Sequence, residues 1–385
     1  MKKHLQILAL ALLLLSPLAG SATQVLLQQA PEQGLQPRSV VDAQGVLHLI
    51  YFKGNPKAGD IFYVRRVPGA TDFSKPLQVN SRPHDAMALG SIRGAQMAVD
   101  AKGRVHVAWN GSAPSTEVKQ GMDMSYARLE PGAKAFEKQL SLLHGSEGLD
   151  GGAAVAADAY NHVWVSFSIS PPGNKKGEAG RAVFVSRSND GGKTFEKERQ
   201  ATQDPSGACG CCGMGSTFDK AGYLYIWYRA ATGNTQRDST LLVSRDLGQN
   251  FQRLPLQAWN LNSCPMSSVS LLPNADSLRV AWETKDQIYF SQVTHTLLTP
   301  SASKPQAAPG AGNNRKHPAQ ATNAKGETLL VWTEGTGWNR GGKLVWQLYG
   351  KDGKTLGGLG NGASIPAWDI PSAYAQANGD FSVLY

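Results

Sequence analysis

Residues 183–195 read VFVSRSNDGGKTF, and this run predicts how the rest of the chain folds. A β-branched apolar strand leads directly into a polar turn rich in Ser, Asp and Gly. The side chains of Ser188 and Asp190 can accept hydrogen bonds from backbone N–H groups across a tight hairpin, and glycine can adopt the positive φ angles that such a turn requires. A degraded copy of the turn follows at residues 244–251, where asparagine replaces the hydroxyl residue. Two copies in matching positions indicate an all-β protein built from repeated units.

The repeat extends along the whole chain. Seven segments share an apolar strand, an Asp or Asn followed by a turn, and a second strand that ends in an aromatic residue. They are residues 39–52, 96–109, 153–167, 215–228, 267–282, 319–332 and 372–385. Their turn markers are Asp42, Asp100, Asp158, Asp219, Asn274, Asn323 and Asn378, spaced by 58, 58, 61, 55, 49 and 55 residues.

A third strand follows every hairpin except the last, and a fourth, less distinct strand comes next. This pattern predicts a β-propeller of six or seven four-stranded blades, with seven favoured. Residues 24–28 are predicted to supply an outer strand to the last blade, which would close the ring and remove a free edge. Residues 171–181 and 299–314 interrupt the pattern and are predicted to be mobile surface excursions.

The turn resembles the Asp-box, S-x-D-x-G-x-[TS]-[FW], of the sialidase and BNR-repeat β-propellers. Ser188, Asp190, Gly192, Thr194 and Phe195 all fit that motif. The resemblance implies recognition, and possible hydrolysis, of a carbohydrate or glycoconjugate, with exo-α-sialidase activity as the implied reaction and no cofactor. Strand order places the turns on the face opposite the site, so Asp190 is expected to be structural.

The same resemblance implies specific site residues. Tyr374 corresponds to the nucleophile, Glu283 to the carboxylate that polarises it and Asp85 to the acid/base. Arg229, Arg237 and Arg315 correspond to the clamp for the substrate carboxylate, which guanidinium groups bind bidentately. The Arg-Ile-Pro motif that opens the first blade of those enzymes is replaced here by Gln36-Pro37-Arg38.

Four cysteines offer other chemistry: Cys209, Cys211, Cys212 and Cys264. They precede the first strands of the fourth and fifth blades, which are neighbours. In an exported protein an even number of cysteines predicts a disulfide, and three pairings are open. Alternatively, Cys212, Cys264 and His317 lie near one channel mouth, together with Met214 and Met266. That donor set suits a soft metal, copper(I) ahead of zinc. The alternative is a non-enzymatic metal-binding or assembly protein; a third hypothesis is a protein-interaction platform.

The chain begins with an export pattern. Lys2 and Lys3 precede the apolar run 5–15 and the small residues 20–22. This predicts a cleaved signal peptide at 1–22, a single propeller domain at 23–385, and a periplasmic or secreted protein. No cysteine stands at the end of the apolar run, so no lipoprotein anchor is expected, and no later apolar stretch is long enough to span a bilayer. The formal net charge of +9 comes from scattered residues, so no nucleic-acid partner is expected.

Overall fold

The computed structural model describes residues 22–112, 122–144, 149, 151–171, 173–202, 206–274, 277–296 and 299–385. These residues form seven β-sheets and two 3-10 helices, Pro31–Gln33 and Gly177–Gly180. None of the helices in this part of the chain has the length and apolarity needed to cross a membrane. The prediction of an all-β propeller is confirmed, and the blade count is seven.

The strands are numbered along the chain, beginning with β1 (Val25–Gln28). Blade 1 contains β2 (Leu35–Val41), β3 (Leu47–Asn55), β4 (Ala58–Arg66) and β5 (Leu77–Gln78); blade 2 contains β6 (Gln96–Val99), β7 (Val105–Asn110), β8 (Met124–Leu129) and β9 (Leu140–Ser141). Blade 3 contains β10 (Ala153–Ala157), β11 (Val163–Ile169), β12 (Ala182–Ser188) and β13 (Arg199–Gln200); blade 4 contains β14 (Gly215–Phe218), β15 (Leu224–Arg229), β16 (Ser239–Ser244) and β17 (Gln252–Gln257).

Blade 5 contains β18 (Val269–Pro273), β19 (Ser277–Thr284), β20 (Gln287–Thr296), β21 (Thr299–Ala302) and β22 (Gln306–Ala307). Blade 6 contains β23 (Lys316–Thr322), β24 (Thr328–Glu334), β25 (Lys343–Tyr349) and β26 (Thr355–Ser364); blade 7 contains β27 (Ser372–Ala375), β28 (Phe381–Leu384) and β1. Within blades 1 to 6 each strand pairs antiparallel with the next, and in blade 5 both β21 and β22 pair with β20.

The inner strands form a closed ring. Each one contacts its neighbours in the order β2, β6, β10, β14, β18, β23 and β27, and β27 returns to β2. Residues from all seven strands line an axial channel, a cavity of about 180 Å³. The second strand of most blades carries a buried aromatic residue that packs between sheets, as Trp109, Trp227 and Trp282 do. The radial equivalence predicted from the turn markers is therefore present.

The two ends of the ring differ by strand direction. We call the end where inner strands begin the front end, and the opposite end, where they turn into the second strands, the turn end. At the turn end the marker side chains organise the hairpins. Asp42 Oδ1 accepts hydrogen bonds from the backbone N–H groups of Gln44 (2.9 Å) and Val46 (2.8 Å), and Asn323 accepts from Lys325 and Glu327 (both 3.0 Å) in the same way.

The turn after β12 has the hydrogen bonds expected from its sequence. Asp190 Oδ1 accepts from the backbone N–H groups of Lys193 and Thr194 (both 3.0 Å), and Oδ2 accepts from the Thr194 hydroxyl (2.6 Å). Burial would raise the pKa of Asp190, but these bonds together lower it to about 2. Phe195 packs edge-on against Tyr126 of blade 2, with ring centroids 4.7 Å apart. The turn therefore ties two blades together.

Blade 7 is completed by the N-terminal strand, as predicted. β1 pairs in parallel with β28, with Val25 opposite Phe381 and Gln28 opposite Leu384. The backbone N–H of Tyr385 also donates to the Gln28 carbonyl (3.1 Å). The two ends of the described chain thus share one sheet, and the edge that β28 would otherwise expose is covered.

The prediction for residues 299–314 was wrong. This segment supplies β21 and β22, which pair with β20 and form the outer edge of blade 5. Its Pro, Ala and Ser content is typical of a loop, but an edge strand can also contain proline, so the composition did not reveal these strands. Residues 171–181 include the helix Gly177–Gly180, and Glu178 within it contacts the site described next.

Candidate functional site: a buried thiol cluster

Three cysteines meet at the front end of blade 4, just before β14. The Sγ atom of Cys209 lies 3.3 Å from that of Cys211 and 3.1 Å from that of Cys212. All three Sγ atoms lie within 4.8 Å of one another, and all three side chains are buried. We call Cys209, Cys211 and Cys212 the thiol cluster. The sulfur separations are longer than a disulfide bond of about 2.05 Å, and each cysteine is a free thiol in the structure.

The loop that carries the cluster is held by hydrogen bonds from its backbone N–H groups to three other parts of the chain. The N–H of Cys209 donates to the Arg229 carbonyl (2.8 Å) at the end of β15. The N–H of Gly210 donates to Glu178 Oε1 (2.7 Å), and that of Gly213 to the Ser267 carbonyl (2.9 Å). Because these partners come from blades 3, 4 and 5, the thiol positions are set by tertiary structure.

Two arginines lie against the cluster. Arg229 is fully buried and donates from Nε to the Ser267 hydroxyl (2.6 Å), which in turn donates to Cys212 Sγ (3.3 Å). Arg229 also donates to the backbone carbonyls of Arg237 (2.6 Å) and Glu283. Arg237 forms an ion pair with Glu178 (2.5 Å), whose other oxygen binds the cysteine loop. The thiols therefore sit in cationic surroundings.

These surroundings distribute the charge unevenly among the thiols. Burial alone would raise the pKa of Cys212, but hydrogen bonds from Cys209 and Cys211, the Arg229 charge and the Ser267 hydroxyl hold it well below its usual value. Hydrogen bonds to the other two thiols, and then burial, raise the pKa of Cys211. The surroundings therefore favour the charged form at Cys212 over the charged form at Cys211.

The donor set fits a soft cation. A metal with bonds of about 2.3 Å to sulfur needs its ligands roughly 3.8–4.0 Å apart, so the two sulfur separations of 3.3 and 3.1 Å must increase by about 0.5–0.9 Å to hold one. Met266 packs against the cluster from the next blade and offers a thioether. Thiolate and thioether ligands favour copper(I) over harder ions.

The other predicted metal ligands lie elsewhere. Cys264 is exposed, and it lines a pocket of about 170 Å³ together with Met266 and His317. His317 is buried between the hydroxyls of Ser91 (3.4 Å) and Ser268 (3.3 Å). Met214 faces the axial channel. The structure therefore brings three of the four cysteines together, with Met266 between them and the second pocket.

The three residues predicted for catalysis have separate partners. The hydroxyl of Tyr374 accepts a hydrogen bond from Arg66 (2.7 Å), the last residue of β4, at the turn end. Glu283 is buried at the front end, where its carboxylate binds the N–H groups of Ser268 (3.1 Å) and His317 (2.8 Å).

Asp85, in the loop before β6, binds Arg82 (2.7 Å) and the side-chain amide of Gln139 (2.5 Å). Its roles and those of Tyr374 and Glu283 stay predictions.

The predicted clamp arginines are engaged with the protein. Arg229 and Arg237 border the thiol cluster, as described above. Arg315 is buried in blade 6, where it forms an ion pair with Glu334 (3.0 Å) and donates to Gln287 (2.8 Å). Sequence reasoning found these arginines but not what they bind. It missed Glu178 and Ser267, because the first lies in a segment outside the repeat and the second is one serine among many.

The comparisons with known proteins concern the fold. No family model and no curated protein sequence matches the chain. The Hadza microbial sialidase Hz136 has a similar structure, with a TM-score of 0.52 and 12% identity over 86% of this chain and 74% of that one. A leech intramolecular trans-sialidase has a TM-score of 0.50 and 8% sequence identity, over 90% of this chain and 80% of that one. An ulvan lyase, a polysaccharide lyase, has a TM-score of 0.47 and 11% sequence identity, over 84% of this chain and 81% of that one. At such identities the likeness to the two sialidases establishes the propeller fold alone.

Proposed function

We propose that this protein is an exported β-propeller that binds copper(I) at the thiol cluster. The observation that carries the proposal is the convergence of three buried Sγ atoms within 4.8 Å of one another, beside the guanidinium of Arg229. Buried thiolates need compensating charge, and a metal cation together with the neighbouring arginine provides it. The export pattern at residues 1–22 supports a role outside the cytoplasm.

The sulfur ligands, and not the charge balance, favour copper(I) here. Three thiolates and one Cu⁺ carry two net negative charges; Arg229 and Arg237 offset them, and Glu178, which is paired with Arg237, leaves one negative charge at the site. Zinc completes a tetrahedron with a hard or soft fourth ligand, whereas copper(I) accepts three sulfurs, with the thioether of Met266 available as a fourth. Binding releases the protons held by Cys209 and Cys211, so affinity rises with pH.

The test is a competition titration of reduced, full-length mature protein with copper(I) under anaerobic conditions. The wild type is expected to take up one ion with the ultraviolet charge-transfer band of copper–thiolate bonds. Cys212→Ser should lower the affinity by at least a hundredfold. Cys264→Ser is the matched control, since this exposed thiol lies outside the cluster, and it should leave the cluster's stoichiometry and affinity unchanged.

Two results would contradict the proposal. One is unchanged copper affinity in Cys212→Ser with an intact fold. The other is a thiol count below four in protein isolated from its native compartment without metal, which would show that the cluster is consumed by the disulfide that the sequence also predicts.

A second candidate function is carbohydrate recognition at the front end. The similar structures named above include sialidases, and Trp338 is 49% exposed beside the pocket that contains Lys316 and His317. An exposed tryptophan next to polar groups suits stacking on a sugar ring. Binding of sialosides that is lost in Trp338→Ala supports recognition. Turnover of a fluorogenic sialoside that is lost in Tyr374→Phe is required for the hydrolase, and absence of turnover by a folded wild type excludes it.

A further inference from the structure

The axial channel contains a half-buried cation with no counter-ion in contact. Arg38, in β2, lines the channel, and its Nε atom is buried without a hydrogen-bond partner. Among the described residues no carboxylate lies within ion-pair distance of this guanidinium. Asp369 acts on Arg38 at longer range, but its Oδ1 is bound by the N–H groups of Gln36 (2.6 Å) and Ile370 (2.9 Å), and it does not line the channel.

The rest of the channel lining is neutral. Among the described residues around the cavity, Arg38 is the one charged side chain. Hydroxyl and amide groups face the same space, contributed by Ser39, Ser216, Ser270, Ser372, Gln96 and Gln320. The hydroxyl of Ser216 and the side-chain oxygen of Gln320 are also buried without partners. A polar cavity with several unpaired groups and one unpaired cation needs a hydrogen-bonding occupant.

Arg38 remains charged in this setting. Burial lowers its pKa to about 10, with Asp369 acting in the opposite direction, so the guanidinium is protonated at neutral pH. An isolated buried cation is costly, whereas a guanidinium paired with an oxyanion gains two parallel charge-assisted hydrogen bonds. A cavity of about 180 Å³ is several times the volume of one water, about 30 Å³, so a four-oxygen anion can be accommodated.

We propose that the axial channel binds one small tetrahedral oxyanion, sulfate or phosphate, with Arg38 as its anchor and the Ser216 hydroxyl as a second donor. The site is separate from the thiol cluster and does not depend on it. Its anchor, Arg38, is not one of the arginines predicted to bind a substrate carboxylate.

The experiment measures thermal unfolding of the full mature protein at constant ionic strength, in chloride and in increasing sulfate or phosphate. The unfolding midpoint of the wild type should rise with sulfate or phosphate and saturate, as expected for one ligand that binds only the folded state. Arg65→Gln, at an exposed position of the same blade, is the matched control and should respond like the wild type. Arg38→Gln should bind at least tenfold more weakly and, in chloride alone, should be no less stable than the wild type.

An equal response of Arg38→Gln and wild type overturns the proposal, as does a wild type that does not respond to either anion. If Arg38→Gln fails to fold, crystals of the wild type grown with selenate replace it. An anomalous peak within hydrogen-bond distance of Arg38 supports the site, and a channel that holds only water overturns it.

Discussion

The two ends of the propeller are built by different rules. At the turn end the hydrogen bonds that shape each hairpin span two to four residues, as between Asp42 and Val46 or between Asp190 and Thr194. At the front end they join residues that are far apart in the chain, as between Glu178 and Gly210 or between Arg229 and Ser267. The turn end is therefore specified by each repeat for itself, whereas the front end exists only after the blades assemble.

The backbone shows the same contrast. Positive φ at the turn end falls mainly on glycine, for example Gly192 (φ 82°) and Gly326 (φ 78°). Around the front end it falls on larger residues, Ser91 (φ 55°), Met266 (φ 48°) and His317 (φ 57°). A non-glycine residue in this region costs about 1–3 kcal/mol and is retained where the surroundings impose it. Strain is thus concentrated near the thiol cluster and the second pocket.

The largest effect is expected from removing the cation of the front end. Arg229→Met leaves the Ser267 hydroxyl and two backbone carbonyls without their donor, and it removes the nearby positive charge that lowers the pKa of Cys212. We expect a loss of about 3–5 kcal/mol in the free energy of unfolding, together with slower alkylation of Cys212 at neutral pH because its pKa rises. Chemical denaturation and mass-spectrometric thiol labelling measure both. Arg65→Met, at an exposed position of blade 1, should change neither, and an equal loss in that control contradicts the assignment.

At the turn end the most informative substitution adds a single methyl group to a glycine. Gly192→Ala combines a left-handed backbone with a Cβ that overlaps the Tyr126 hydroxyl, and we expect a cost of about 2–4 kcal/mol. Gly353→Ala also has positive φ (78°) but meets no atom within 4 Å, so about 1 kcal/mol is expected. Denaturant midpoints compare the two variants. Equal costs would show that backbone conformation alone, and not the contact between blades, decides the turn.

Acid should weaken the front end before the turn end. Burial lowers the pKa of His317 to about 4, with Glu283 raising it and Lys316 and Arg38 lowering it further, against 6.5 when unfolded. The unfolded chain therefore binds more protons between these values. The stability contributed by the neutral imidazole is present above pH 6.5 and is lost as the pH falls towards 4, by about 3 kcal/mol.

Urea unfolding of wild type and His317→Asn between pH 7 and 4.5 tests this expectation. The difference between the two proteins should change across that interval, because asparagine does not titrate. The pKa of Asp190 is lowered to about 2, so its contribution is present above 3.8 and is lost only as the pH falls through about 2. Parallel curves for the two proteins would rule out His317 as the origin of acid sensitivity.

The smallest effect expected is a gain. Ser91→Gly relieves a left-handed residue at the front end and should stabilise the protein by up to about 1 kcal/mol. Asn161→Gly, at φ 70° in the turn after β10, should gain less, because asparagine tolerates this conformation. Thermal unfolding midpoints are sufficient to rank them. A destabilised Ser91→Gly would show that its contact with His317 outweighs the strain.

The sequence predicted the ring of blades, but it did not predict how the side chains are arranged at the front end. Asp42 and its equivalents act locally, so their spacing shows which residues occupy equivalent positions in successive blades, and it also predicts the strand that closes blade 7. This equivalence fixes the blade in which a residue lies, but it does not fix the residue's height along the axis or the direction of its side chain. Cys264 therefore lies in the expected blade and yet faces solvent, and Tyr374 follows the expected strand entry and yet reaches Arg66 at the other end.

The pairing of β1 with β28 also determines when the propeller ring can close during folding. Val25–Gln28 pairs with Phe381–Leu384, 356 residues further along the chain, so the ring closes only when these two distant segments meet. Contacts of such high sequence separation form slowly during folding. A short peptide with the sequence of residues 24–28 should therefore compete for the open slot during refolding and slow the final step.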